Sequence, residues 1–120
     1  MRWMTTRVFP AICAALLLAL SARAGEDRRF EIAIRDNQVP EAMQVVRVSR
    51  GDHVELVWTT DKPARLHFHG YDMEFQVAPG TPAVVDFDAR ATGRFPVELH
   101  GSSDNPHGHD TLLYVEVYPE

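Results

Sequence analysis

Two histidines separated by one residue are the first groups in the sequence that could do chemistry. His67 and His69 lie in the stretch LHFHG, residues 66–70. Residues two apart in a β-strand point to the same side of the sheet, so the two imidazoles are predicted to share a face. Imidazole nitrogen is a good ligand for copper, zinc and nickel. The spacing also fits two solvated surface histidines, so a metal site requires further ligands.

A second group of histidines lies in the stretch ELHGSSDNPHGHD, residues 98–110. The glycines and the proline of this stretch predict a ten-residue shaped loop over 101–110, and long loops between strands often carry function. If the strands that lead into the two groups approach each other at the same end of the fold, five histidines converge. We therefore predict a metal site formed by His67, His69, His100, His107 and His109. The alternative is that the second group caps a strand and is otherwise solvated.

Three neighbouring side chains could support such a site. Glu98 lies two residues before His100, hence on the same face of a strand, where its carboxylate could accept an imidazole N–H. Tyr71 flanks the first histidine pair and is a weaker candidate for the same role. Met73 could be a soft ligand for Cu(I), although a methionine in a strand usually fills the core. The sixth histidine, His53, begins a strand and is expected on the surface.

The first 24 residues are predicted to be a cleaved secretory signal peptide. Arg2 and Arg7 make a positive start, residues 8–20 are apolar, and Ala22 and Ala24 form a small-x-small cleavage signal. The alternative is a membrane anchor. The apolar run has 13 residues, whereas an anchor needs roughly 20 to span the hydrocarbon layer. Residues 25–120 would then be a single exported domain, periplasmic or secreted, whose oligomeric state the sequence does not indicate.

The composition of residues 25–120 excludes several kinds of chemistry. Nine basic residues stand against seventeen acidic ones, a net charge of −8, which argues against binding to nucleic acid. The one cysteine of the chain, Cys13, lies in the predicted signal peptide. The exported domain would therefore contain no disulfide, no thiolate nucleophile and no thiolate metal ligand.

Alternating apolar and polar residues predict about eight short strands. Clusters of Gly, Pro, Asp and Asn separate them, and no window shows a helical stripe of ten or more residues. This spacing is typical of an all-β, Greek-key antiparallel sandwich with one core between two sheets. The predicted strand segments are 29–35, 43–49, 53–60, 65–77 with a kink near Gly70, 83–89, 94–100 and 111–119.

The sequence resembles the cupredoxins, the small copper proteins that include plastocyanin, azurin and pseudoazurin, and the periplasmic domain of cytochrome oxidase subunit II. The stretches that carry the resemblance are VSRGDHVELVWTTD (48–61), LHFHG (66–70), and VAPGTPAVVDFDARATGRFPVEL (77–99). The LHFHG stretch is also similar to the H-W-H-G segment of multicopper oxidases. The resemblance covers about 90 residues and implies a cupredoxin-like sandwich with a copper site.

One position departs from the cupredoxin pattern. The family supplies a histidine, then a cysteine, then a histidine and often a methionine; alignment places Leu99 at the cysteine position, His107 near the second histidine and His109 near the methionine. Alignment to pseudoazurin-like sequences favours His67 for the first ligand position, whereas the H-x-H-G similarity to multicopper oxidases involves both His67 and His69. A blue-copper centre requires the thiolate. The resemblance therefore implies an imidazole site, assisted by carboxylate, in which Cu(II) would find the nitrogen and oxygen ligands it prefers.

We predict an exported copper-binding protein that acts in copper handling or tolerance and is not an enzyme. Zinc and nickel remain open as the metal. The partner, besides the metal ion, would be a membrane-bound copper transporter or oxidase. The alternatives are a cupredoxin-like interaction module without metal, a small electron-transfer protein that serves a membrane oxidase, and a small copper oxidase.

Overall fold

Eight strands and one short 3-10 helix form the protein in the computed structural model, which describes residues 25–101 and 107–120. The predicted signal peptide, and the middle of the predicted histidine loop (102–106), lie outside the described residues. The 3-10 helix is Glu41–Met43. The strands are β1 (Asp27–Ile34), β2 (Val45–Ser49), β3 (His53–Thr60), β4 (Ala64–Phe68), β5 (Met73–Val77), β6 (Ala83–Asp88), β7 (Gly93–His100) and β8 (His109–Tyr118).

The strands form two sheets that enclose one core. The order is β1-β3-β6 in the three-stranded sheet and β2-β8-β7-β4-β5 in the five-stranded sheet. The all-β sandwich predicted from the sequence is thereby confirmed. Two pairings within it, β1 with β3 and β2 with β8, are parallel, so the sheets are mixed rather than wholly antiparallel. In the described part of the chain, no helix has the length and apolar character needed to cross a membrane.

The core is built from alternate residues of strands from both sheets. Leu66 and Phe68 of β4 and Val97 and Leu99 of β7 are buried, while the residues between them are at least partly exposed. Trp58 of β3 is fully buried, and its ring lies 5.7 Å from that of Phe75. This alternation leaves the residues between the core positions of β4 and β7 on the outer face of the five-stranded sheet.

A tight turn joins β4 to β5 and fixes the backbone beside the first histidine pair. Gly70 has a φ of +86°, and a Cβ added there would lie 2.2 Å from Cδ1 of Phe95, so only glycine fits. The N–H of His69 donates to the carbonyl oxygen of Pro96 at 3.0 Å. The kink predicted near Gly70 is thus a turn that ties the end of β4 to β7.

The buried carboxylate of Asp52 connects the start of β1 to the turn between β2 and β3. One oxygen accepts the N–H of Glu26 at 3.0 Å, and the other accepts the N–H of Ser49 at 2.9 Å. Burial acts to raise the pKa of Asp52, but these two hydrogen bonds and the charge of Arg28 outweigh it and hold the pKa below its ordinary value of 3.8. Asp52 is 4% exposed, so the ion relies on these partners.

Candidate metal centre

Four of the five predicted histidine ligands lie together on the outer face of the five-stranded sheet. His67 follows the outward alternation of β4, His69 lies in the turn directly after this strand, and His100 follows the outward alternation of β7. His109 is the cross-strand partner of His100. The loop expected over 101–110 is corrected in this respect, because β8 begins at His109 and its backbone pairs with β7 from that residue onward.

The four imidazole rings form a continuous series of contacts. The ring centroids of His67 and His69 are 4.0 Å apart, and those of His67 and His100 are 5.5 Å apart. The rings of His100 and His109 meet edge to face at 4.4 Å. Side chains from three separate stretches of the chain therefore meet at one patch, which we call the histidine face (His67, His69, His100 and His109).

Glu98 connects the two ends of the histidine face. Its Oε2 accepts a hydrogen bond from Nε2 of His69 at 2.9 Å and lies 3.8 Å from Nδ1 of His109. A carboxylate that holds one ring nitrogen fixes the tautomer and leaves Nδ1 of His69 as the atom available to a metal. The carboxylate of Glu98 therefore holds His69, which lies across the sheet, and not His100 on its own strand.

A group of three possible ligand atoms contains a residue that sequence reasoning missed. Nitrogen atoms of His67 and His100 and a carboxylate oxygen of Glu74 all lie within 4.8 Å of one another. Glu74 is the cross-strand partner of His67 in the β4–β5 pair, which brings its carboxylate to the histidine face. The alternation of β5 could have indicated that Glu74 faces outward, but only the pairing register shows that it lies opposite His67.

This group of three, His67, Glu74 and His100, fits a metal ion. Nitrogen and oxygen ligands lie about 2 Å from copper or zinc, so ligand atoms around one ion are roughly 3–4 Å apart. The observed limit of 4.8 Å requires only small side-chain adjustments. Nε2 of His100 is buried without a hydrogen-bond partner among the described residues, as an unused ligand atom would be. Two imidazoles and one carboxylate suit Cu(II) and Zn(II).

His100 is held in the form that binds metal. Burial lowers its pKa, and the neighbouring His109, His67 and Arg65 lower it further, against the opposing charge of Glu74. A neutral imidazole has a free lone pair, whereas a protonated one does not. The surroundings of His100 therefore favour a state ready for coordination.

The remaining predicted residues, His107, Met73 and Tyr71, are not part of the histidine face. His107 is exposed and lines the same cleft as His100 and His109, but it makes no ring contact with the other histidines in the described part of the chain. Met73 packs against the hydrophobic core, on the opposite face of β5 from Glu74. Tyr71 stacks on Phe68 at 5.0 Å and donates its hydroxyl to the carbonyl of Ala91. Neither side chain is brought to the histidine face.

Leucines occupy the inner face behind the histidines. Leu99, at the position where the cupredoxin pattern has cysteine, is 2% exposed and pairs across the strands with Leu66, which is fully buried. Its side chain belongs to the core cluster, while Glu98 and His100 on either side face outward. The interior position is therefore filled by hydrocarbon, and the histidines collect on the opposite face of the same strands.

His53 lies on the other sheet, in a different electrostatic setting. Nδ1 of His53 is 2.7 Å from a carboxylate oxygen of Asp88, and Nε2 is 3.4 Å from one of Asp86. The hydrogen bond to Asp88 is the main cause that raises its pKa above 6.5, aided by the charges of Asp88, Asp86 and Asp27 against the effect of burial. The imidazolium is thus stabilised, and His53 belongs to no group of three possible metal ligands among residues 25–101 and 107–120.

We expect NMR titration of His53 to give a pKa above 6.5 and the Asp88→Asn variant to bring it back toward that value. Because the folded pKa is raised, the pair adds stability that is fully present below the unfolded pKa and is lost as the pH rises through the folded pKa. The other histidines serve as internal controls in the same spectra. An unchanged His53 titration in Asp88→Asn would contradict this assignment.

The comparisons with known proteins rest on structure alone. No protein-family model matches the sequence. No curated protein matches it either. Solved structures do match: the periplasmic domain of subunit II of cytochrome oxidase of Bradyrhizobium japonicum superposes with a TM-score of 0.60 at 11% identity, covering 77% of this chain and 84% of that one.

The chain has a cupredoxin-like fold. A chain of a heme-copper terminal oxidase dimer matches with a TM-score of 0.62 at 20% identity over 76% of this chain, and a blue copper oxidase from Nitrosomonas europaea matches with 0.60 at 19% over 78%. The cupredoxin-like domain spans 65% of the first of these chains and 39% of the second. The resemblance predicted from the sequence is confirmed for the fold.

Proposed function

We propose that this cupredoxin-like protein is exported to the periplasm and binds copper on the histidine face, in copper handling or tolerance. The observation that carries the proposal is the convergence of His67, Glu74 and His100 to within 4.8 Å. His69 and His109, both near the carboxylate of Glu98, stand beside these ligands and could receive the ion as it leaves them. The predicted signal peptide supports export, and one of the similar structures is a periplasmic domain.

Two arguments favour copper over zinc and nickel: the affinity order of divalent ions, and the presence of copper proteins among the similar structures. Among divalent first-row ions, Cu(II) binds nitrogen and oxygen sites most tightly. The similar structures include a blue copper oxidase and a heme-copper terminal oxidase. A site without thiolate on a partly exposed face suits uptake and release of an ion, which is the task of a carrier that serves a membrane transporter or oxidase.

The test is a Cu(II) titration of the protein purified after export of the full-length chain. We expect one equivalent to give an EPR spectrum with nitrogen ligands and to raise the melting temperature, because copper that binds only the native state stabilises it. Stabilisation is about 2.7 kcal/mol at a free copper concentration of one hundred times Kd. A parallel Zn(II) titration measures selectivity.

A spectrum of free aqueous copper at one equivalent, together with an unchanged melting temperature, would refute the copper proposal. The alternative of a metal-free interaction module would then be favoured, because the cupredoxin cysteine position is filled by the buried Leu99. If Zn(II) stabilises the protein more than Cu(II) does at equal free concentration, the proposed site stands, but its metal is zinc and not copper.

A further inference from the structure

Arg65 is the one basic residue of β4, and its side chain lies on the same side of this strand as His67 of the histidine face. Arg65 lies two residues before His67, so the two side chains leave β4 on the same face about 6–7 Å apart along the strand. Arg65 is exposed, and no carboxylate of the described residues lies within ion-pair distance of it. By contrast, Arg94 on the same outer face lies over the ring of Tyr114 and 3.9 Å from Glu116.

Arg65 borders a cleft that is also lined by His100, one of the three proposed ligands. The cleft has a volume of about 670 Å³, and its lining includes Arg65, Gln76, His100 and His109. Gln76 is the cross-strand partner of Arg65, as Glu74 is of His67. The cleft therefore has a guanidinium and an amide on one side and imidazoles on the other. Its volume and these polar groups suit a small organic anion.

A bare copper ion at the proposed site would leave one positive charge uncompensated. A divalent ion held near Glu74 and Glu98 is neutralised by the two carboxylates, and Arg65 then leaves one uncompensated positive charge that repels the metal. Cu(II) also prefers four ligands in a plane, and His67, Glu74 and His100 supply three. One anionic ligand would fill the open position and offset the charge of Arg65.

We propose that the cleft binds a small carboxylate, which coordinates the copper ion and is held by the guanidinium of Arg65. Arginine matches a carboxylate with two parallel hydrogen bonds, and Gln76 offers an amide donor beside it. The cargo would then be copper chelated by a small amino- or hydroxycarboxylate rather than the bare ion. This inference rests on the proposed copper site and specifies the form in which that site takes copper.

The test uses glycine as the probe, with glycinamide as the matched ligand that lacks the carboxylate. Copper-loaded protein is titrated with each, and ligand entry is followed by EPR with ¹⁵N-labelled probes and by the visible spectrum of the bound Cu(II). We expect a ternary complex with glycine that is tighter than with glycinamide. Arg65→Gln should weaken glycine binding by about tenfold or more, the value of a lost charge-assisted bidentate contact.

The control variant is Arg94→Gln, which removes the same charge from the same face at a place engaged with Tyr114 and Glu116. It should leave glycine binding unchanged. Copper uptake in the absence of glycine should be equal or stronger in Arg65→Gln, because a like charge is removed, and this also shows that the variant folds.

Three outcomes would overturn the inference. The first is equal glycine affinity in the wild type and in Arg65→Gln; the second is equal affinity for glycine and glycinamide. In both, copper still binds and the proposed function stands. The third is that no copper binds in any variant, which removes the proposed function and the inference together.

Discussion

Replacing His67 and His100 together by glutamine is expected to lower the affinity for Cu(II) by at least about a hundredfold. The two substitutions remove two of the three ligands whose atoms lie within 4.8 Å of one another. Changes to residues that merely support a ligand already cost about 10–100-fold in metal affinity, so loss of the ligands themselves should cost more. The affinity is measured by competition with a copper chelator of known strength.

The matched control is His53→Gln, which removes a histidine from the other sheet, where Asp86 and Asp88 hold it. It should leave the Cu(II) affinity unchanged. Melting curves without copper show whether the double variant folds; if it does not, Glu74→Gln supplies the test at an exposed position. Retained affinity in the folded double variant would refute the assignment of these ligands.

Asp52→Ala is expected to lower the free energy of unfolding by about 2–4 kcal/mol. The substitution removes the acceptor of two backbone N–H groups, those of Glu26 and Ser49, at a residue that is 4% exposed. Both hydrogen bonds are part-buried and have a charged acceptor, and a hydrogen bond to a charged group contributes about 1.5–3 kcal/mol. Denaturant unfolding of the copper-free protein measures the change. The m-value should stay the same if the substitution leaves the surface exposed on unfolding unchanged.

The pH dependence provides an independent check on Asp52. Because its folded pKa lies below 3.8, the carboxylate contributes stability that is present above the unfolded pKa and is lost as the pH falls through the folded pKa. Asp52→Ala and Asp52→Asn should both lose this part of the acid dependence. Asp61→Asn, at an exposed carboxylate whose two oxygens contact the N–H of Asp36, is the control. Equal acid sensitivity of the wild type and both Asp52 variants would contradict the role of Asp52.

The alternation of single strands was readable from the sequence because it depends on a local period of two. It predicted eight strands, and it placed His67 with His69 and Glu98 with His100 on shared faces. The spacing of strands and turns predicted the sandwich, and the resemblance to cupredoxins supported it; the structure and the solved structures similar to it bear out the sandwich, with two parallel pairings that were not expected. Residues 25–120 contain no cysteine, which argues against a blue-copper centre in this domain.

The composition of the site depended on pairings between distant strands. Glu74 joins His67 only through the β4–β5 register, and His109 faces His100 only because the β7–β8 register shifts between Val97 and Glu98. Turn-rich composition had indicated a loop at His109. A shift of one residue in either pairing would turn these side chains to the other face, and local sequence carries no information about it.

The sequence by itself therefore determined the strands, the shared faces of His67 with His69 and of Glu98 with His100, and the absence of cysteine from residues 25–120. Only the tertiary structure decided that the histidines gather on the outer face of the five-stranded sheet, with leucines behind them, and that Glu74 and Arg65 stand at their side. The physical reason is that side-chain direction follows from local backbone geometry, whereas neighbours across a sheet are chosen by core packing and long-range hydrogen bonds.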